Sequence, residues 1–254
     1  MRASGAVTRS TLRQQIADAL RDEVLAGRLQ PGREFTVKQI AEQYGVSATP
    51  VREALFDLSA QGLLESDQHR GFRVHEFTVA DYRAMVEART LVMDGVIRDV
   101  FHGPAPAGAR QTAYRDALVS VRRRAEEASR AARGGDLDIL IGYDLRFWRE
   151  LGALVGNSYI TDFLHRLRVQ AWVFAVPYLR GDADMRDWLW NGHPDLVAAI
   201  SLRDRQALRA AVEDYNNHAL SWADRLAAGD RARTEHPPRT DGPDGPADRA
   251  RPKP

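Results

Sequence analysis

The 254-residue chain contains no cysteine, which excludes a disulfide framework and thiolate metal sites. It has no apolar run of the roughly 18 residues that cross a bilayer. Its N-terminus carries no signal-peptide core, so a cytoplasmic location is the default expectation. A charge surplus is missing too: the net charge is +1, and residues 1–76 hold ten Lys/Arg against ten Asp/Glu. A domain that announces nucleic acid by bulk charge is thereby excluded, and a DNA-facing surface would have to cluster a few cations while the acids face elsewhere. Catalytic constellations are equally scarce. There is no cysteine nucleophile, no Gly-rich phosphate loop and no His-Glu-x-x-His, and neither Ser158 nor Ser201 has a base beside it in sequence.

What is present is concentrated in residues 46–65, from Val46 to Glu65. Ser47 or Thr49 suits an N-cap, and Pro50 suits a first helical turn, where its missing N–H would be unpaired anyway. Val51, Leu55 and Leu58 recur at helical spacing, and Gly62 ends the run. Upstream, Val37, Ile40 and Ala41 with Gly45 predict a shorter helix and a glycine turn. Two helices around such a turn form a helix-turn-helix, which presents the start of its second helix to the DNA major groove. Leu63-Leu64-Glu65 and Arg70-Gly71-Phe72-Arg73-Val74 then read as two strands of a wing, with Arg70 and Gly71 near its tip. Leu12, Ile16, Leu20, Val24 and Leu25 share one face of a preceding helix that ends at Gly27.

The rest of the chain shows helical periodicity and no strand pattern. Six helices are expected: from Thr78 to about Gly103, Ala109–Arg133, 136–154, Ser158 to about Leu179, Asp182–Leu202 and Asp204–Ala228. Thr78 and Asp81 form a capping-box-like start. The charged run Arg122 to Glu127 interleaves acids and bases and reads as a solvated face. Six of the twelve prolines lie in residues 231–254, a composition that cannot bury a core. The expected organisation is 1–8 disordered, 9–76 a winged helix-turn-helix, 77–229 an all-α effector-binding and dimerisation domain, and 230–254 a disordered tail. The fold class is mainly α.

The string Leu29-Gln-Pro-Gly32, Ile40-Ala41, Gly45-Val-Ser-Ala-Thr-Pro-Val-Arg-Glu-Ala-Leu55, Gly62-Leu63-Leu64 and Arg70-Gly-Phe-Arg-Val74 resembles the GntR family of bacterial repressors. The helical remainder resembles its FadR subfamily, whose all-helical FCD-type domain binds an effector. The resemblance covers roughly residues 9 to 228. It implies a dimeric, metabolite-responsive repressor on a palindromic operator, with no membrane association. Lys38, Ser47, Thr49, Pro50, Arg52, Arg70 and Gly71 match the DNA-contacting region. Arg52 is suited to guanine O6/N7, although a pairing with Glu53 or Asp57 is the plainer alternative. Ala48 stands where relatives commonly carry a base-reading arginine, so the operator is expected to depart from the usual family palindrome.

Many members of the subfamily hold a divalent metal with an Asp and a His four residues apart on one helix and two later His. Here the pattern aligns with Asp144, Trp148, His193 and Tyr215. Trp cannot ligate a metal and a neutral Tyr does so poorly, so no cofactor is expected. A remnant site of Asp144, His193 and His218 is the alternative. The replacements instead imply an aromatic interior of Tyr143, Phe147, Trp148, Trp172, Phe174 and Tyr215, suited to an apolar or aromatic carboxylate. The resemblance also places Arg89 at the cavity, either holding the effector carboxylate or pairing with Asp144. The rival function is a metal-dependent helical-bundle enzyme with a vestigial winged helix.

Overall fold

A computed structural model describes residues 11–67, 70–102 and 108–235. The expected disorder of residues 1–8, and of the tail beyond residue 235, falls outside these. The first unit opens with α1 (Leu12–Leu25), capped by the Thr11 side chain, which accepts from the main-chain N–H of Gln14. Ile16, Ala17, Leu20, Val24 and Leu25 are its buried stripe. Leu12, expected on that stripe, is 47% exposed, because it is the first helical residue and projects past the end of the core.

Thr36 opens α2 (Val37–Tyr44) through a full capping box with Gln39, and Gly45 closes it at φ 65°. The recognition helix α3 (Ala48–Ala60) has Ser47 at its N-cap, without a side-chain hydrogen bond. Its apolar stripe, Val51, Ala54, Leu55 and Leu58, is essentially solvent-free. At the far end Gly62 N–H bonds to Ser59 and Leu63 N–H to Leu58, the paired bonds of a helix stopped by a left-handed glycine.

The wing consists of β2 (Leu64–Asp67) and β3 (Gly71–Val74), antiparallel with Glu65 opposite Arg73. A third strand was not expected: β1 (Glu34–Phe35) pairs with the other edge of β3, giving the order β1-β3-β2. Two residues are too few to show a period-2 pattern, so composition could not reveal it. Gly71 has φ 98°, and a Cβ there would lie 2.6 Å from the main-chain oxygen of Phe35. The glycine is thus required for β1 to close against β3.

The helical unit comprises α4 (Val79–His102), α5 (Ala109–Gly134), α6 (Leu137–Ala153), α7 (Ser158–Arg180), α8 (His193–Ser201) and α9 (Arg205–Glu235). Thr78 and Asp81 form the capping box at the start of α4. The helix expected over Asp182–Leu202 is instead a 3₁₀ turn at Met185–Trp188, an extended link, and α8. Pro194 explains the break: it lacks an N–H and clashes with a continuous helix through residue 190, so the helix restarts at His193-Pro194. The last helix runs past the expected boundary at 229, to Glu235. None of the helices described is long and apolar enough to cross a membrane.

One apolar cluster runs from Ile16 and Leu20 through Leu55 and Leu63 to Val169, Val176 and Trp222, so the two units share a core. Helix α7 is the element that joins them.

Candidate functional site

Two regions carry chemistry. On the winged helix, Lys38, Ala48, Arg52 and Gly71 border one shallow groove between α2, α3 and the wing. Ser47, Thr49 and Arg70 are exposed and Pro50 half-buried around the start of α3. Asp57 pairs with Arg13 at 3.2 Å. Among the described residues no ion pair holds Arg52, whereas Lys38 is loosely tied to Glu42 at 3.8 Å and Arg70 to Glu34 at 3.6 Å.

Inside the helical unit a cavity of about 70 Å³ is lined by residues of α4, α6, α7 and α9 and by Trp188, Trp190 and His193. Asp144, on α6, is its anchor and is 3% exposed. Its Oδ1 accepts from Trp148 Nε1 and His193 Nε2, both at 2.9 Å, and its Oδ2 from Trp172 Nε1 at 2.8 Å. Arg168 Nη1 stands 3.7 Å from Oδ2. Burial pushes the Asp144 carboxyl up, but the Arg168 charge and the bonds from His193 and Trp172 outweigh it and hold the pKa at about 2. A carboxylate only accepts, so His193 carries its proton on Nε2, and Nδ1 is left without a partner.

Arg168, at the same depth, was not expected at the site. Its Nη1 donates to the Tyr215 hydroxyl at 2.6 Å, and Arg89 Nη1 donates to the same oxygen at 2.7 Å. Arg89 Nε also donates to Asn216 Oδ1 at 2.9 Å, and its guanidinium lies 4.0 Å over the Tyr215 ring. Burial pulls the Arg89 pKa down; the nearby Arg168 adds to this and Tyr215 opposes it. Arginine nevertheless keeps its proton in proteins. Two guanidinium ions therefore face one carboxylate. Arg89 Nη2, Arg168 Nε and Asn216 Nδ2 are buried donors with no partner. Unpaired buried donors and an excess cation are costly, and both deficits are met by an anion.

Of the remnant metal set, His218 has its Nε2 on the Trp188 carbonyl at 3.0 Å, and Asp144 Oδ1 accepts from both Trp148 Nε1 and His193 Nε2. Among the described residues no three potential ligands gather. Of the two arginine partners, Asp144 takes Arg168, and Arg89 goes to Tyr215 and Asn216. Tyr143 lies outside the cavity, half-buried with the Arg124 guanidinium 6.0 Å from its ring. Phe147 and Phe174 are core: Phe147 packs edge-on against His193, and Phe174 stacks on Tyr82 at 4.9 Å. Arg168 and Asn216 had a signal, since each interrupts an apolar stripe, Arg168 one turn before Trp172 and Asn216 between Val212 and Ala219.

The cavity is wired to the DNA-binding unit through α7. Arg168 and Trp172 face the cavity, and between them Gln170 Nε2 donates to the main-chain oxygen of Gln61, at the end of α3, at 2.7 Å.

Residues 12–74 match the family model described as bacterial regulatory proteins, gntR family, and residues 105–218 match the FCD domain. A probable D-xylose utilization operon transcriptional repressor of Paenarthrobacter nicotinovorans is 35% identical over 209 residues, covering 82% of this chain and 87% of that protein. The HTH-type transcriptional regulator McbR of Escherichia coli K12 is 26% identical over 215 residues, covering 82% and 91%. The solved structure of E. coli McbR/YncC superposes with a TM-score of 0.68 at 21% identity, covering 86% of this chain and all of that one. A GntR regulator structure from Rhodococcus sp. RHA1 gives 0.60 at 20% identity, covering 84% and 99%.

Proposed function

The chain belongs to the GntR family of bacterial regulatory proteins, is a DNA-binding transcriptional regulator with an FCD domain, and is not an enzyme; from that premise we propose that it is a repressor switched by a small anionic metabolite bound between Arg89 and Arg168. The observation that carries the reading is the buried Arg89–Tyr215–Arg168 cluster at the cavity wall, where Arg89 Nη2, Arg168 Nε and the neighbouring Asn216 Nδ2 are buried without partners. A carboxylate there accepts from Arg89 Nη2, Arg168 Nε and Asn216 Nδ2 and neutralises the excess charge. No resident metal takes part, because Trp148 and Tyr215 occupy the positions that ligands would fill. The protein works in the cytoplasm, as a dimer on a palindromic operator.

On the DNA side Arg52 reads a base edge, Lys38, Ser47 and Thr49 hold the phosphate backbone around the Pro50 turn, and Arg70 and Gly71 place the wing. The methyl of Ala48 favours thymine where an arginine would select guanine. Anion binding draws Arg168 and with it α7, which moves Gln170 against the end of α3 and resets the spacing of two recognition helices.

The test is release of the protein from DNA of its own upstream region by formate and acetate, with Arg89→Lys alongside. Release of the wild type at anion concentrations that leave the variant bound supports the reading; equal response of both proteins overturns it.

A further inference from the structure

A second cavity, of about 110 Å³, lies beside the first and is almost wholly apolar. Met93, Ile97, Leu164, Leu196, Leu208 and Val212 form its walls. Arg168 borders both cavities, and Trp148 borders the second while its Nε1 bonds to Asp144 in the first. The Arg168 guanidinium sits 3.9 Å over the Trp148 ring, and the Trp148 ring is 5.1 Å from that of Tyr215, which lines the first cavity.

The anion cavity, about 70 Å³, is less than half the roughly 150 Å³ that holds a benzene ring in a protein core. It admits a carboxylate head and little more. Apolar packing in proteins ordinarily leaves few voids larger than a water, and this one is walled mainly by apolar side chains, with Tyr114, Thr161, His165 and Arg168 also bordering it. Its mostly apolar lining suits a hydrocarbon.

We propose that the two cavities are one site, which takes an amphipathic monocarboxylate: the head between Arg89 and Arg168, the aliphatic tail past Trp148 into the Met93–Val212 chamber. This rests on the anion reading for the head alone; the tail chamber is carried by its own volume and lining. The tail displaces Trp148 from its stack on Arg168, and Arg168 is the group that α7 carries. Tail length is then what distinguishes effectors, the head being common to all small carboxylates.

The experiment is calorimetric titration of the full chain with acetate, butyrate and hexanoate, and with neutral 1-hexanol, using Val212→Phe to fill the chamber, Val96→Phe as a second filling variant at its edge, and Arg89→Lys at the head. The expected result is tightening of about fourfold per methylene, equivalent to about 0.8 kcal/mol for each buried CH₂. That gradient disappears in either filling variant, while Arg89→Lys weakens the whole series equally and leaves hexanol binding unchanged. A flat series in the wild type, with acetate still sensitive to Arg89→Lys, overturns the tail chamber and leaves the head reading intact. A gradient that survives both fillings overturns the chamber as well. Binding of hexanol and hexanoate alike with no effect of Arg89→Lys overturns the pairing by removing the head.

Discussion

Gln170 donates its side-chain amide to the main-chain oxygen of Gln61 at 2.7 Å, across the junction between the helical unit and the recognition helix. That carbonyl is at the C-cap of α3, where helix geometry leaves acceptors without internal partners. Gly62 follows at φ 72°, and a Cβ on it would stand 2.7 Å from Gln170 Nε2. One glycine thus both stops the helix and makes room for the side chain that reads its end. Arg168 and Trp172, which line the cavity, flank Gln170 on α7.

Gln170→Ala is expected to cost about 0.5–1.5 kcal/mol of stability, the net worth of one hydrogen bond. Its larger effect is on coupling: operator binding without anion stays near wild type, and the change on adding anion shrinks. Paired anisotropy titrations with and without butyrate check this; an undiminished response shows that the signal travels elsewhere.

Asp144→Asn removes the carboxylate that accepts from two indoles and an imidazole, and leaves Arg168 buried without its counter-charge. Breaking a buried pair on one side costs about 3–5 kcal/mol. Chemical denaturation should show a loss of that order, against a change well under 1 kcal/mol for an exposed pair such as Arg130–Glu127.

Acid stability should fall in two steps. Burial, with help from Arg149, Arg21 and Arg168, pulls His165 down to about 4, against about 6.5 in an unfolded chain. The unfolded state therefore takes up a proton that the folded state refuses as pH drops from about 6.5 to 4, and stability declines across that window. Asp144, at about 2 when folded and about 3.9 unfolded, contributes stability above pH 4 that is lost as pH falls towards 2. Melting temperature against pH for wild type and His165→Asn separates them: the variant keeps only the lower step. A single step common to both proteins contradicts the assignment.

Tyr215→Phe deletes the acceptor that two guanidinium ions share, and should destabilise by about 1–3 kcal/mol, the cost of stranding buried donors. Anions substitute for the lost oxygen, so acetate should raise the melting temperature of the variant by more than that of the wild type. Equal increments would show that the anion does not meet Arg89 and Arg168.

The sequence exposed most where a side chain type has one physical use. Glycine at positive φ, Pro50 in a first turn and the Val51–Leu55–Leu58 stripe made the helix-turn-helix legible, and Arg70 to Val74 made the wing legible. Strand β1 was hidden by its length, and the break before α8 was read through because Leu189 and Leu196 hold a helical register on either side of Pro194. The alignment of Asp144, Trp148, His193 and Tyr215 puts them near one another but carries nothing on how they bond. Which arginine meets Asp144 depends on how α4, α7 and α9 pack, and local periodicity carries no information on that. Tyr143 was misplaced for the same reason: its face of α6 meets α5 and not the cavity.

The most direct test of the account is the affinity of the full chain for DNA from its own upstream region, measured with and without hexanoate and repeated with Arg52→Ala. The account predicts salt-dependent, site-specific binding, weakened by the variant roughly five- to 150-fold, the value of about 1–3 kcal/mol for one base contact, and weakened in the wild type by hexanoate. Equal, weak binding by both proteins, indifferent to hexanoate, would contradict it.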